Sequence, residues 1–197
     1  MVKTFYVCSY GGCGSTMLAK SFKIYGNVEH IHSRNPPNKL QYVGLNNGGN
    51  SYSEWFNGIE IPENELNDYY VIYIYKNPIN SILSRFKNPS HLEHIQIDKN
   101  IKLNDVINEK KDLYGISDFY ENYTTKKNRN YKIYCVKYEE LFDKQNQLSE
   151  LLGIGKLNLV KNETNRKIEI SKYYNKLYKI YKKLIKKIKK NDFIFIS

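Results

Sequence analysis

The apolar and polar positions of the first 32 residues form two short apolar runs on either side of a glycine-rich segment and a helical pattern. Residues Val2–Ser9 are apolar and β-prone, Tyr10–Gly14 are rich in glycine, and Ser15–Tyr25 have helical spacing. The run Asn27–His32 again has the pattern of a strand. This order predicts a strand, a tight loop, a helix and a second strand, which together make a βαβ unit.

Polar residues dominate the next segment, Arg34–Ser53, which also contains a Pro-Pro and a Gly-Gly pair. We expect a long surface loop there, of the kind that is usually functional or mobile. The continuous apolar run Tyr69–Tyr75 is typical of a central parallel strand. Directly after it, Asn77 offers an N-cap and Pro78 a first helical position, which predicts a helix to about Phe86.

The C-terminal half continues the alternation of strands and helices. The pattern predicts a helical region over Leu103–Lys126 interrupted near Gly115, a strand over Tyr131–Lys137, a helix through Leu152 that ends at Gly153, a helix over Ser171–Lys190 and a short strand over Asp192–Ile196. Together the elements favour a single α/β domain, residues 1–197, with one doubly wound, mainly parallel sheet flanked by helices.

The composition narrows the class of protein. With 197 residues, 41% of them hydrophobic, the chain is long and apolar enough for one domain with a sizeable core. The net charge is +11, but Ser171–Lys190 holds nine lysines and no acidic residue, so the rest of the chain is close to neutral. A nucleic-acid-binding interpretation therefore depends on that one segment, and no specific nucleic-acid partner is expected.

The cysteines and the apolar runs bear on the compartment. Cys8, Cys13 and Cys135 form no CxxC pair, so they predict neither a disulfide framework nor a zinc site. Cys8 and Cys135 lie in strand-like runs and are expected to be buried and reduced. No charged N-terminal region precedes a long apolar run, and no apolar stretch reaches about 18 residues, which predicts a cytoplasmic or nucleocytoplasmic protein.

The glycine-rich segment carries the first candidate chemistry. Gly11, Gly12 and Gly14 allow the backbone to turn several N–H groups inward, and the start of a helix adds partial positive charge. Ser15 and Thr16 add hydroxyl groups in the first helical turn. Such a loop suits a dianionic phosphate or a sulfonate, and an ordinary glycine-rich turn is the alternative.

Competing motifs fail at particular positions. A Walker-type loop needs a lysine where Gly14 stands, which disfavours a kinase or an ATPase. The GxSxG motif is absent, and a phosphatase built on Cys13 would need an arginine where Ala19 lies. For Cys13 itself, thiolate character beside a helix N-terminus is the alternative to an ordinary loop cysteine.

The segment Ser9–Met17, with the sequence SYGGCGSTM, resembles the 5′-phosphosulfate loop of sulfotransferases, whose pattern is roughly T-Y-P-K-S-G-T-T-W. With the two further segments below, the resemblance covers most of the chain in the correct order. It implies a P-loop-like sulfotransferase architecture and 3′-phosphoadenosine 5′-phosphosulfate (PAPS) as the sulfuryl donor. The loop residues it implies at the donor are Gly11, Gly12, Cys13, Gly14, Ser15, Thr16 and Met17.

The segment Tyr75–Phe86 resembles the family's 3′-phosphate segment, R-[DN]-P-x-x-x-x-x-S, with matching spacing from Lys76 to Ser84. A cation at the end of a strand and a hydroxyl on the following helix can converge on one phosphate. Lysine replaces the usual arginine, so the charge is kept but the bidentate fork is lost. A capped helix without a ligand is the alternative.

The segment Val136–Leu141, followed by Leu151–Gly153, resembles the family's Y-E-[DE]-L … L-G stretch, whose tyrosine region lies near the adenine. The resemblance implies that Tyr138 stacks on the base, and a core role for this tyrosine is the alternative. Arg166 and Lys167 would correspond to the basic loop that closes over the 3′-phosphate, although a solvated basic turn is the simpler interpretation.

Sulfuryl transfer needs donors for the sulfonate, a cation near the bridging oxygen and a base for the acceptor hydroxyl. The family often places lysine or arginine at the position of Gly12, and this chain lacks it. Lys20, Arg34 and Lys76 are the candidates to replace that cation, and the sequence does not choose among them.

The catalytic base is expected at the end of the second strand, where related sulfotransferases keep a glutamate or a histidine. Strand alternation puts His30 and His32 on one face, with Glu29 on the other. His32 is the first choice and His30 the second, because the pKa of a histidine lies near neutrality. Two strand histidines without a catalytic role, or an incidental metal site, are the alternatives.

The leading hypothesis is a metal-independent sulfotransferase that moves a sulfuryl group from PAPS to a hydroxyl or amine of a carbohydrate, a peptide tyrosine or a small molecule. A non-catalytic nucleotide-binding module and a phosphoryl-transfer enzyme are the alternatives. The acceptor would meet the loops Arg34–Phe56 and Asn88–Lys102. For the basic helix Ser171–Lys190, a solvated lysine face is the simplest interpretation, and contact with an anionic membrane or a polyanionic acceptor is the alternative.

Overall fold

The computed structural model describes residues 2–45, 53–55, 58–85, 92–93, 95–161 and 167–197. The strands are β1 (Lys3–Cys8), β2 (Gly26–Ile31), β3 (Gly44–Leu45), β4 (Ser53–Glu54), β5 (Tyr69–Tyr75), β6 (Ile133–Lys137) and β7 (Ile194–Ile196). The α-helices are α1 (Ser15–Phe22), α2 (Pro78–Arg85), α3 (Leu103–Glu109), α4 (Ile116–Thr124), α5 (Tyr138–Leu141), α6 (Gln145–Leu151) and α7 (Lys167–Lys190), and a 3-10 helix covers Glu63–Asp68.

The strands form one sheet in the order β3-β4-β2-β1-β5-β6-β7. Its centre is parallel, because β1 pairs in parallel with β2 and β5, and β5 in parallel with β6. The antiparallel strands lie at the edges, with β3 against β4 and β7 against β6. The predicted βαβ unit and the predicted central strand Tyr69–Tyr75 are both confirmed.

Each central strand buries both of its faces. Along β1, Phe5 and Val7 belong to one apolar cluster, whereas Tyr6 and Cys8 belong to the other. Helices α1 and α6 cover the first face, and α2, α4 and α7 cover the second. The helices on both faces explain why the central strands are continuous apolar runs, and they confirm an α/β fold with a mostly parallel sheet.

The chain changes direction within the sheet between β1 and β5. From β1 the chain passes through α1 to β2 on one side, and from β5 it continues to β6 on the other side. In open α/β sheets, the crevice at the carboxyl ends of two such strands is where ligands bind. The loop after β1 and the residues after β5 flank this crevice, and these are the two segments that resemble phosphate-binding motifs.

The segment after β2 differs from the expected surface loop. Leu40 is fully buried, and its N–H donates to the side chain of Asn130 over 2.9 Å. The hydroxyl groups of Tyr123 and Tyr131 donate to the carbonyls of Ser33 and Pro37. A polar local sequence predicted exposure, but these tyrosines arrive from distant parts of the chain, so local pattern could not show the contacts.

The remaining boundaries differ by a few residues. Helix α1 ends at Phe22 instead of Tyr25, β6 begins at Ile133 instead of Tyr131, and α7 begins at Lys167, earlier than the expected Ser171. The predicted break near Gly115 is confirmed, because this residue has a φ of 56° and separates α3 from α4. Among the described residues, no helix is long and apolar enough to cross a membrane.

The pairing of β1 with β2 predicts a strong effect of one glycine substitution. A Cβ atom at Gly26 would lie 2.0 Å from the backbone oxygen of Lys3, which cannot move without breaking the strand pairing. We expect Gly26→Ala to lower the free energy of unfolding by about 1–3 kcal/mol or more, as measured by urea denaturation. The control is Gly44→Ala in β3, where nothing lies within 4 Å of the added carbon. Equal losses for the two variants would contradict the steric explanation.

Candidate anion-binding site

The loop between β1 and α1 is shaped by three glycines in the left-handed region. Gly11, Gly12 and Gly14 have φ angles of 101°, 66° and 81°, which side chains with a Cβ atom rarely adopt. Gly14 is the N-cap of α1 and has no side chain, so it offers no side-chain acceptor to the first N–H groups of the helix. Unsatisfied amides with the partial positive charge of a helix start favour an anion.

The loop packs directly against α2. A Cβ atom at Gly12 would lie 2.9 Å from Ser84 Cβ and 3.0 Å from the carbonyl oxygen of Ser81. The Cys13 thiol lies 3.3 Å from the Ser81 hydroxyl and donates to the carbonyl of Gly11. Cys13 is therefore buried, and its thiol is hydrogen-bonded between the loop and α2.

Tyr138 joins the other two predicted segments to the loop. A Cβ atom at Gly14 would lie 2.5 Å from Tyr138 Cε2, so the ring packs against the loop backbone. The Lys76 ammonium lies 5.3 Å from the centroid of the same ring, within range of a cation–π contact. Tyr138 is partly buried and packs edge-on against Phe142. The structure thus brings the loop, Lys76, Ser84 and Tyr138 together at the end of β1 and β5.

Two acidic side chains, Glu139 and Glu140, form contacts that stabilise this arrangement. Glu139 accepts a hydrogen bond from the N–H of Asn77 over 2.7 Å, which ties the start of α5 to the turn after β5. Glu140 pairs with Lys137 and Lys144. Hydrogen bonds from Lys137 and then from Lys144 lower the pKa of the Glu140 carboxyl. Sequence reasoning gave Glu139 no role, although it belongs to the Y-E-E-L segment.

A chain of hydrogen bonds connects both predicted histidines to the loop. Ser9 donates to the Ser15 hydroxyl over 2.8 Å, and Ser15 Oγ lies 2.8 Å from His30 Nε2. His32 Nδ1 lies 2.7 Å from the carbonyl oxygen of Ser9. The two imidazole rings are 4.6 Å apart, which confirms that they share a face of β2.

The His32 contact determines the tautomer of this ring. A carbonyl oxygen only accepts hydrogen bonds, so Nδ1 of His32 carries the proton and Nε2 of the neutral ring has the lone pair. A general base needs such a lone pair. His32 is only 5% exposed, whereas His30 is partly exposed and contacts the loop hydroxyl. The sequence had not indicated that Ser9 connects them.

The other loop residues have distinct environments. The Ser15 hydroxyl is engaged within the hydrogen-bonded chain, so its backbone N–H is its remaining group for an anion. Thr16 is exposed on the first turn of α1, and Met17 packs half-buried against the apolar cluster beneath α1. Gly11 is buried, while Gly12 and Gly14 are partly exposed. The face that an anion can reach therefore consists mainly of backbone.

The three candidate replacement cations lie in different parts of the structure. Lys20 is exposed in the last turn of α1, away from the loop. Arg34 forms a salt bridge with Asp118 over 3.0 Å and lies against Gly115. Lys76 lies beside Tyr138, whose ring packs against Gly14 of the loop. Gly12 itself cannot be replaced by a cationic residue without a clash with α2.

Some of the predicted site residues lie outside the part of the chain that the structure describes. Arg166 lies outside the described residues, and Lys167 is described only as the first residue of α7, so their predicted contact with the nucleotide has no counterpart here. Parts of both predicted acceptor loops are likewise outside the described ranges. Within those ranges, no group of three or more His, Cys, Asp or Glu side chains is arranged to hold a metal ion.

A small pocket adjoins the loop on the α7 side. The space that it encloses is large enough only for a water-sized group, and its lining includes Tyr10, Cys13, Lys76, Leu184 and Ile188. A nucleotide would therefore lie across the loop surface and not inside this pocket.

Comparisons of the chain with protein-family models, with curated proteins and with solved structures found no match. The resemblance to sulfotransferases therefore depends on the three motifs and on the geometry that joins them.

The contact of the loop with α2 predicts the effect of a single methyl group. Gly12→Ala adds left-handed strain of about 1–2 kcal/mol and a clash with Ser84 and Ser81 that costs about 1–3 kcal/mol more. Gly58→Ala is the matched control, because Gly58 has a φ of 65° but nothing within 4 Å of the added carbon. Urea denaturation should show a clearly larger loss for Gly12→Ala. Similar losses would mean that the loop yields easily and that the close contact is unimportant.

Proposed function

We propose that the protein is a sulfotransferase of P-loop-like architecture that moves a sulfuryl group from PAPS to a hydroxyl or amine of an acceptor. The observation that carries the proposal is the packing of Gly12 against Ser84, with Lys76 beside Tyr138 at the same edge of the sheet. These contacts join the segments that resemble the 5′-phosphosulfate loop, the 3′-phosphate segment and the adenine segment. A bisphosphorylated nucleoside needs two anion sites and a flat apolar surface close together.

The chemistry follows from the groups around the loop. The acceptor hydroxyl attacks the sulfur, a new S–O bond forms, and the bond from sulfur to the bridging phosphate oxygen breaks. Adenosine 3′,5′-bisphosphate leaves with the electron pair of that bond, and the acceptor proton passes to a base. Backbone amides of the loop would bind the sulfonate, and Lys76 would neutralise charge on the nucleotide.

His32 is proposed as the base, since its hydrogen bond to the Ser9 carbonyl leaves a lone pair on Nε2 of the neutral ring. His30 is proposed as a positioning residue, because its contact with Ser15 lies directly under the start of α1. This mechanism requires no metal ion.

One observation favours a second candidate, a nucleotide-binding module without catalysis. The space beside Gly12 is occupied by α2, so the chain cannot carry a loop cation where sulfotransferases often have one. Lys76 is the remaining candidate near the loop, and its position beside Tyr138 also suits simple nucleotide binding. Both candidates require adenosine 3′,5′-bisphosphate to bind, and only the first requires turnover.

Nucleotide binding is tested by thermal shift with adenosine 3′,5′-bisphosphate, PAPS and ATP, each with and without Mg²⁺. We expect the bisphosphate and PAPS to stabilise the protein without metal, by about 2.7 kcal/mol when the ligand is at one hundred times its Kd. Lys76→Ala should weaken this effect by roughly tenfold in Kd, and Lys20→Ala should not change it. A response confined to ATP with Mg²⁺ would favour a phosphoryl-transfer enzyme and contradict the proposal.

The role of His32 is tested by transfer of labelled sulfate from PAPS to a panel of acceptors. We expect His32→Ala to abolish turnover while PAPS binding survives. His32→Asn is the companion variant, because its amide can still donate to the Ser9 carbonyl but cannot act as a base. A fall in rate of roughly a hundredfold or more is expected for both variants. Unchanged turnover in His32→Asn would remove His32 from the mechanism.

A further inference from the structure

Helix α7 presents a dense array of lysines on its outer side. In the part of this helix whose side chains are described, residues 173–190, eight lysines are exposed, namely Lys176, Lys179, Lys182, Lys183, Lys186, Lys187, Lys189 and Lys190. At about 100° per residue, they occupy an arc of about 160° over a length of about 21 Å. Neutral or acidic residues do not interrupt that arc from Lys182 to Lys190.

The opposite side of the helix is used by the core. Leu177, Tyr181, Leu184, Ile185 and Ile188 are all buried, and Tyr181 donates to Asp112 over 2.9 Å. The apolar stripe is therefore unavailable for insertion into a lipid bilayer, which is how amphipathic surface helices bind membranes. The exposed side of this part of the helix therefore offers mainly lysine charges to a partner.

Contacts that stabilise the fold, such as the helix dipole and an ion pair, explain only some of these lysines. Lys187, Lys189 and Lys190 stand in the last turn, where the helix dipole favours cations, and Lys187 pairs with Glu121 on α4. Lys179 and Lys182 lie further from the end of the helix and next to other lysines. Like charges three or four residues apart destabilise a helix, so a purely structural role would favour mixed charges. A bound polyanion would relieve this repulsion.

The lysines form two rows. One row is Lys176, Lys183, Lys187 and Lys190, and the other is Lys179, Lys182, Lys186 and Lys189. The rows lie about a quarter of a turn apart on a cylinder roughly 10–12 Å across. A flat membrane would contact only the part of the helix surface between the two rows. A single acidic polymer would need only one row of lysines. Duplex DNA has two phosphate strands on either side of a major groove about 12 Å wide.

We propose that the lysine face of α7 binds double-stranded DNA through its phosphates, without reading the base sequence. This surface is separate from the proposed nucleotide site and does not depend on it. The absence of polar side chains other than lysine along the two rows agrees with backbone contacts, which position a protein but carry no sequence information. Such binding is strongly salt-dependent, because each neutralised phosphate releases counterions.

The test measures fluorescence anisotropy of a labelled duplex of about 20 bp with the intact protein at several salt concentrations. Each titration is made without and with adenosine 3′,5′-bisphosphate, which occupies the proposed loop site. If all eight lysines contact phosphates, the slope of log K against log salt is about −7, which is a loss of roughly four orders of magnitude between about 50 and 200 mM salt.

The test variant replaces the second row by glutamine (K179Q, K182Q, K186Q and K189Q), and the control replaces four exposed lysines elsewhere (K126Q, K127Q, K132Q and K156Q). The two variants lose the same charge. The row variant should bind with a slope of about −4, while the control keeps most of the original slope. Thermal unfolding of the row variant should be no lower than that of the wild type, because glutamine is a good helix former and repulsion is reduced.

Three results would overturn the proposal. The first is equal weakening in both variants, which would show dependence on net charge alone. The second is loss of duplex binding when the bisphosphate is added, which would locate the DNA at the loop. The third is binding to vesicles containing phosphatidylserine, or to an acidic polysaccharide, without binding to the duplex.

Discussion

The close approach of the loop after β1 to α2 is the constraint on which the candidate site depends. The two segments meet where Gly12 has no side chain, and an added Cβ atom would lie 2.9 Å from Ser84 Cβ. This contact places the loop backbone at Gly12 beside the Ser84 hydroxyl of α2, at the point where the order of the sheet reverses. The same contact excludes a loop cation at this position, so the positive charge must come from another segment, such as Lys76 beside Tyr138.

The tyrosines of the core fill space and also form hydrogen bonds that position a loop. Tyr73, Phe119 and Tyr123 stack on one face of the sheet, with centroids 4.5 Å apart for the two tyrosines and 5.1 Å for Phe119 and Tyr123. The hydroxyl of Tyr123 reaches past this stack to the carbonyl of Ser33, directly after His32. A buried hydroxyl needs a partner, and a loop carbonyl supplies it. The aromatic core therefore also fixes the segment that follows the proposed base.

Helix α7 contributes to both proposed sites, with its inner side beside the loop and its outer side as the DNA-binding surface. Its inner residues Leu184 and Ile188 line the small pocket beside the loop, and its outer residues carry the lysine rows. Tyr181 donates to Asp112 in the connection between α3 and α4, and Lys187 pairs with Glu121 on α4. The inner contacts are short-ranged and independent of salt, whereas the outer charges act over roughly a Debye length and are screened. Salt can therefore change the outer surface and leave the site intact.

The sequence by itself determined the alternation of elements, because burial on both faces makes central strands such as Tyr69–Tyr75 continuous apolar runs. It also indicated the glycine loop, since positive φ angles require residues without a Cβ atom. It could not show which side chains meet across the sheet. The contact of Gly14 with Tyr138 and the bond from Asn77 to Glu139 join residues more than sixty positions apart. Such contacts follow from strand order and register, and only the tertiary structure decides those.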